Sequence, residues 1–125
     1  MEKMSHAEYI EQVRQEAGNI AVAAIAGELD VLDACWFLGP LLAQAELPAG
    51  DPDSSAIGEV CSELDCLPVG NTRELWSLEA CERLAPQLES LKNWASPLAM
   101  AAIRSVAMRF GPNISVRDFP STPGA

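Results

Sequence analysis

Four side chains that could do chemistry lie close together in the segment CSELDCLPVG, residues 61–70. They are Cys61, Glu63, Asp65 and Cys66. Thiols at this spacing could bind zinc, but a structural zinc site also needs a second pair of thiols or histidines. The only histidine is His6, and the remaining cysteines, Cys35 and Cys81, lie on predicted apolar helix faces, where a thiol behaves as a small hydrophobe. We therefore expect no metal ion and no cofactor.

Enzyme chemistry has few candidate residues in this sequence. His6 is the single candidate base, and beside Ser5 it is more typical of an exposed helix start than of a general base. Glu59 and Glu63 share one helix face and repel mildly, as carboxylate pairs on solvated surfaces do. Neither a Gly-rich phosphate loop nor a G-x-S-x-G motif is present. We expect no enzymatic activity and no catalytic residues; a carboxylate- or metal-dependent hydrolase is the alternative left open.

The charge of the chain is concentrated in its middle. The net charge is −10, and no Lys or Arg occurs between Arg14 and Arg73. The interval 15–72 carries ten acidic residues: Glu16, Glu28, Asp30, Asp33, Glu46, Asp51, Asp53, Glu59, Glu63 and Asp65. Such a segment repels phosphate backbones and attracts cationic proteins. We expect no nucleic-acid partner; the alternative is that the acidic residues only keep the protein in solution.

The N-terminal sequence argues against secretion and membrane insertion. Residues 1–16 contain no apolar signal-peptide core. The nearly uncharged run at residues 17–27 is 11 residues long and too short to span a bilayer. We expect a cytoplasmic protein without membrane contacts, in which the four cysteines remain reduced thiols.

Local signals predict helices throughout the chain. Ser5 and Glu8 form a capping box, and apolar residues recur from there at spacings of three and four up to Gly27. A second helix is expected from Glu28 or Asp30 to Leu38, with an interruption at Gly39-Pro40 and a short helix over residues 41–45. A third is expected over residues 52–64, because Asp51 is a good N-cap and Pro52 suits the first position.

The longest helix is expected to begin after Ser77 and to end at Gly111. Its predicted buried face comprises Leu78, Cys81, Leu84, Leu88, Leu91 and Ala95, followed by Leu98, Ala101, Ala102, Val106 and Phe110. Pro86 predicts a kink or a brief break inside this pattern. The sequence therefore predicts an all-α, compact bundle of five to six helices: a single helical domain, residues 1–111, and an extended or flexible C-terminal tail, residues 112–125.

Binding is the function that the sequence favours. The acidic residues lie beside Trp36, Phe37 and Trp76, and interface centres favour aromatic residues inside a charged rim. For Trp36 the simpler interpretation is burial in the core. Asp65 could instead serve the fold, by accepting backbone N–H groups or by pairing with Arg73. The candidate partner-binding residues are Glu28, Asp30, Asp33, Asp51, Asp53, Glu59, Glu63, Asp65, Arg73 and Trp76.

The motifs GELDVLDACWFLGPLL, DPD, CSELDCLPVG and RELWS, in this order, resemble a family of short bacterial proteins over residues 15–111. The chain departs from the family pattern at residues 54–58, SSAIG, where a more aliphatic stretch is usual. The resemblance suggests an immunity protein that neutralises a cognate, contact-delivered toxin with a basic surface. It marks Glu63, Asp65, Arg73 and Trp76 as family-like positions. The alternative is a small helical adaptor or a self-associating structural protein, so a homo-oligomer stays possible.

Overall fold

The structure is a computed structural model that describes residues 5–65 and 67–111. This part of the chain folds into four α-helices and one 3-10 helix, and it contains no strand. The elements are α1 (His6–Ile25), α2 (Val31–Gln44), α3 (Pro52–Ser62), the 3-10 helix (Gly70–Leu75) and α4 (Leu78–Phe110). The predicted all-α bundle is thus confirmed. The predicted C-terminal tail, residues 112–125, lies outside the described residues, as does Cys66.

The four α-helices begin at the capping residues that the sequence predicts. Ser5 and Glu8 form the complete capping box at the start of α1. Asp30 accepts the N–H groups of the first turn of α2, Asp51 accepts the N–H of the third residue of α3, and Ser77 caps α4 in the same way. Each side chain satisfies a donor that has no partner inside its helix, which fixes the helix start.

Prolines do not interrupt the helices, and the prediction of a break at Gly39-Pro40 is wrong. α2 continues through Pro40 to Gln44, and α4 runs unbroken through Pro86. A helix-interior proline costs about 3 kcal/mol in isolation. In α2 this cost is offset because Leu38 and Leu42, on either side of Pro40, are both fully or almost fully buried.

Helices α1 and α4 pack closely because small residues line both. Ala17, Ala21 and Ala24 of α1 are buried, as are the alanines of α4 at positions 95, 99 and 102. Gly18 lies against the backbone of Phe110 at the end of α4. The larger side chains fill the space toward α2 and α3, and the fully buried ones include Leu38, Ile57, Val60, Leu64, Val69, Ile103 and Val106.

The buried face of α4 is shorter than the sequence predicts. Its first buried residue is Ala95, and Leu78 is 76% exposed, because the first turns of α4 extend past the core. Ala101 is also exposed, since adjacent positions on a helix point about 100° apart and its neighbour Ala102 faces the core. Both expectations of burial are therefore wrong. No described helix is long and apolar enough to cross a membrane.

Candidate functional site

Two of the predicted partner-binding residues hold α3 and α4 together. Asp51 and Asp53 at the start of α3 are buried, and both contact one nitrogen of Arg109, at 3.0 and 2.9 Å. Ser105 donates its hydroxyl hydrogen to Asp53 across 2.5 Å. The hydrogen bond to Asp53 is the main cause that raises the pKa of Arg109. These carboxylates are occupied inside the fold.

Asp30 and Asp33 at the start of α2 also pair with distant cations. Asp30 contacts Lys92 of α4, and this hydrogen bond raises the pKa of Lys92. Asp33 is buried, accepts the N–H of Gly70 at 2.8 Å and pairs with Arg73 at 3.1 Å, which fixes the 3-10 helix against α2. Arg73 thus pairs with Asp33, and the alternative that it pairs with Asp65 is wrong.

The remaining predicted acids are exposed, and three of them share one region. Glu59, Glu63 and Asp65 lie on the last turns of α3 and the turn after it; we call these three residues the acidic ridge. Glu28 is exposed in the connection between α1 and α2. Across residues 5–65 and 67–111, ion pairs with Lys or Arg involve other acids only. The ridge therefore carries uncompensated negative charge.

An apolar depression lies on one side of the acidic ridge. This first groove has a volume of about 740 Å³. Its apolar lining comprises Ile20, Trp36, Phe37, Gly39, Pro40, Leu41, Gly58 and Cys61, and its polar lining comprises Glu16, Asp65, Asn71 and Thr72. Trp36 is half-buried rather than enclosed in the core, and its indole N–H donates to Asn71 at 3.0 Å. Trp36 and Asp65, one of the three ridge carboxylates, thus line the same groove.

A second depression lies on the other side of the ridge, between α3 and α4. This second groove has a volume of about 490 Å³ and is lined by Glu63, Leu67, Gln87, Ser90, Leu91 and Trp94. Trp94 is 49% exposed, and the sequence-based site prediction missed it. The sequence pattern could have identified it as exposed. Trp94 directly precedes Ala95 of the buried face, so it lies outside the apolar stripe of α4. Trp76 is half-buried after the 3-10 helix and lines neither groove.

The described cysteines are free thiols, and two of them are shielded. Burial, followed by the charges of Cys61 and Asp30, raises the pKa of Cys35 to about 12. Burial also raises the pKa of Cys61, whose Sγ donates a hydrogen bond to the carbonyl oxygen of Cys35 at 2.9 Å. Within the described ranges, no group of three or more His, Cys, Asp or Glu residues is placed to hold a metal ion.

The thiols should differ sharply in reactivity. At pH 8 a thiol with a pKa of about 12 is ionised in about one molecule in ten thousand, and the thiolate is the reactive form. We expect iodoacetamide to modify the half-buried Cys81 of the native protein well before Cys35, as followed by peptide mass spectrometry. In denaturant both should react at similar rates. Equal rates in the native protein would contradict the burial of Cys35.

Comparisons of the chain with protein-family models, with curated proteins and with solved structures give no match. The resemblance to bacterial immunity proteins therefore stays a prediction based on the sequence motifs. The function of the acidic ridge and its two grooves must be inferred from their charges, burial and contacts.

Proposed function

We propose that this chain is a non-enzymatic binding protein of the immunity or antitoxin type, which neutralises a cognate bacterial toxin in the cytoplasm. One observation carries the proposal: the exposed carboxylates Glu59, Glu63 and Asp65 form a ridge beside two grooves, of which Asp65 lines the first and Glu63 the second, and each groove contains a tryptophan. Stable interfaces combine an apolar, aromatic centre with a charged rim. The ridge and its grooves have this composition.

The charge of the ridge indicates the chemistry of the partner. An exposed cluster of one sign speeds association with a partner of the opposite sign and disfavours partners of the same sign. The proposed toxin therefore presents Lys and Arg residues around an apolar contact. Toxins that act on nucleic acids need such a basic surface to hold phosphates, and an acidic inhibitor would compete directly for it. Inhibition by covering that surface requires no catalytic group.

The internal ion pairs narrow the proposed contact surface. Asp33, Asp51 and Asp53 are buried and connect helices, so we place them outside it. Asp30 and Arg73 are similarly engaged with Lys92 and Asp33. A partner role for Asp30 and Arg73, and for Glu28 and Trp76, stays a prediction. Substituting the engaged residues would disturb the fold as well as any interface, so they are poor probes of binding.

Charge reversal of the ridge tests the proposal. In a pull-down from the native host with a tagged protein, we expect a basic partner that is released by rising salt. The triple variant Glu59→Lys, Glu63→Lys and Asp65→Lys should bind that partner at least about tenfold more weakly, because attraction becomes repulsion. Affinity is measured with the purified partner at low and high salt.

The matched control changes the same number of charges elsewhere. Glu11, Glu79 and Glu82 are exposed on α1 and on the first turns of α4, and none of them lines either groove. Their replacement by lysine alters the net charge equally and should leave affinity within about twofold if the position of the charge matters. If both triple variants lost affinity equally, the effect would be due to net charge and not to the position of the ridge. If neither variant lost affinity, the proposal would be overturned.

A second candidate function is a small helical adaptor or self-associating structural protein. The exposed Leu75 and Leu78, at 86% and 76%, favour it, because exposed apolar side chains that adjoin one another often mark contacts between proteins. A defined oligomer in sedimentation velocity, in a sample that captures no partner, would support this candidate over the toxin inhibitor.

A further inference from the structure

Three glycines lie inside the described α-helices, and only two have a visible reason within the fold. A Cβ atom on Gly18 would collide with the backbone of Phe110, and one on Gly39 would lie 2.7 Å from the sulfur of Cys61. These two glycines allow neighbouring helices to approach. A Cβ atom on Gly58 would meet nothing within 4 Å. No contact inside the described chain explains the glycine in α3.

Gly58 carries a stability cost without a packing benefit. A glycine in the middle of a helix destabilises it by about 0.5–1 kcal/mol relative to alanine. Its helical position leaves the backbone of α3 bare on the side that lines the first groove. A bare backbone permits an external group to approach more closely than any side chain would allow. The space above Gly58 is therefore open among the described residues and can admit a further group.

The lining of the first groove indicates the chemistry of this occupant. Trp36, Phe37, Pro40 and Leu41 offer an apolar surface from α2. The charged residues of the lining are Glu16, which α1 contributes, and Asp65, which follows α3; none of the Lys or Arg residues that the structure describes lines the groove. An apolar segment flanked by cationic side chains is complementary to such a site.

The fold also indicates the shape of the occupant. Strand addition needs the open edge of a sheet, and the described residues form no strand. Grooves between helices are instead occupied by amphipathic helices, whose apolar residues recur at spacings of three and four. Two helices pack with their axes about 8–10 Å apart, and small residues at the crossing allow the shorter distances.

We propose that the first groove binds an amphipathic helix of the partner, which crosses α3 at Gly58 and places Lys or Arg side chains beside Glu16 and Asp65. This inference rests on the proposed function and names the contact through which it acts. Gly58 is the crossing point, the α2 side chains form the apolar contact, and the two carboxylates fix the orientation of the helix.

The first test uses a synthetic amphipathic helix of leucine and lysine as the probe, with an otherwise identical leucine–glutamate peptide as its control. The protein is labelled with ¹⁵N, and the indole N–H signals of its three tryptophans are followed during titration. We expect the lysine peptide to shift the signal of Trp36 more than those of Trp76 and Trp94, and the glutamate peptide to bind far more weakly. No shift up to about 1 mM lysine peptide, or a main shift at another tryptophan, would overturn the inference.

Substitutions at Gly58 provide the second test, because they separate binding from folding. Gly58→Ala should raise the melting temperature and yet weaken binding of the peptide, whereas Gly58→Trp should remain folded and lose at least about tenfold in affinity. Ala101→Trp, on an exposed position of α4, is the matched control and should bind normally. Unchanged binding by Gly58→Trp would overturn the inference.

The same variants distinguish this inference from the proposed function. If the partner captured from the host is lost on charge reversal of the acidic ridge but binds Gly58→Trp normally, the proposed function holds and the groove assignment fails. If both variants lose the partner while both controls keep it, the two are supported together. If the lysine peptide binds at Trp36 but no host partner depends on the ridge, the groove assignment is supported and the proposed function as a toxin inhibitor fails.

Discussion

Replacing Gly18 by alanine is expected to lower the free energy of unfolding by about 2–3 kcal/mol, even though alanine is the better helix former. The added Cβ atom would lie 2.6 Å from the backbone nitrogen of Gly111 and closer still to the carbonyl oxygen of Phe110. Both obstacles are backbone atoms, so no side chain can rotate away. Helices α1 and α4 would have to separate where they pack against each other through small residues.

The measurement is a pair of denaturant titrations with a matched control. Gly58→Ala makes the same chemical change inside another helix, where the new methyl group has open space around it. We expect this control to gain about 0.5–1 kcal/mol. The two substitutions should therefore shift the denaturant concentration at half-unfolding in opposite directions. A stabilising effect at both positions would show that the α1–α4 contact is looser than described.

Replacing Arg109 by methionine is expected to lower the free energy of unfolding by about 3 kcal/mol. The substitution keeps much of the side-chain length but leaves Asp51 and Asp53 buried without their cation. An uncompensated buried charge is far more costly than a lost surface pair. This loss lies at the lower end of the range for removing one partner of a buried ion pair, because the side chain of Arg109 is itself 32% exposed. The guanidinium group also stacks over Phe110, with its central carbon 5.0 Å from the ring centre.

Arg104→Met is the matched control for this prediction. Arg104 lies in the same helix, is exposed and takes part in none of the ion pairs among the described residues. Its replacement should change the free energy of unfolding by no more than about 0.5 kcal/mol. Similar losses for the two arginines, measured in denaturant at neutral pH, would contradict the idea that Arg109 neutralises the start of α3.

The helix starts could be predicted from the sequence because each depends on a few adjacent residues. Ser5 with Glu8, Asp51 with Pro52, and Ser77 act through N–H groups within three positions of themselves. The apolar spacing of α1 is equally local. The prediction at Pro40 failed for the opposite reason. Whether a proline ends a helix depends on the packing of residues on both sides, which the local sequence does not contain.

The candidate site was only partly predictable, because a carboxylate does not reveal its partner. Asp33 and Asp53 look no different in the sequence from Glu59 and Glu63, yet the first two are buried beside cations that follow 40 and 56 positions later. Only the fold separates acids that neutralise arginines from acids that face solvent. The role of Gly58 was also hidden, because its distinguishing property is the empty space around it.

The ion pairs of α4 have a consequence for the order in which the protein can fold during synthesis. Residues 1–77 contain three basic and fourteen acidic residues, and the cations Lys92 and Arg109 that neutralise the starts of α2 and α3 are translated later. The alanine face of α1 likewise remains uncovered until α4 is made. A nascent chain that ends before α4 therefore lacks both its counter-charges and its main packing surface. The complete bundle can therefore assemble only after Arg109 has emerged from the ribosome.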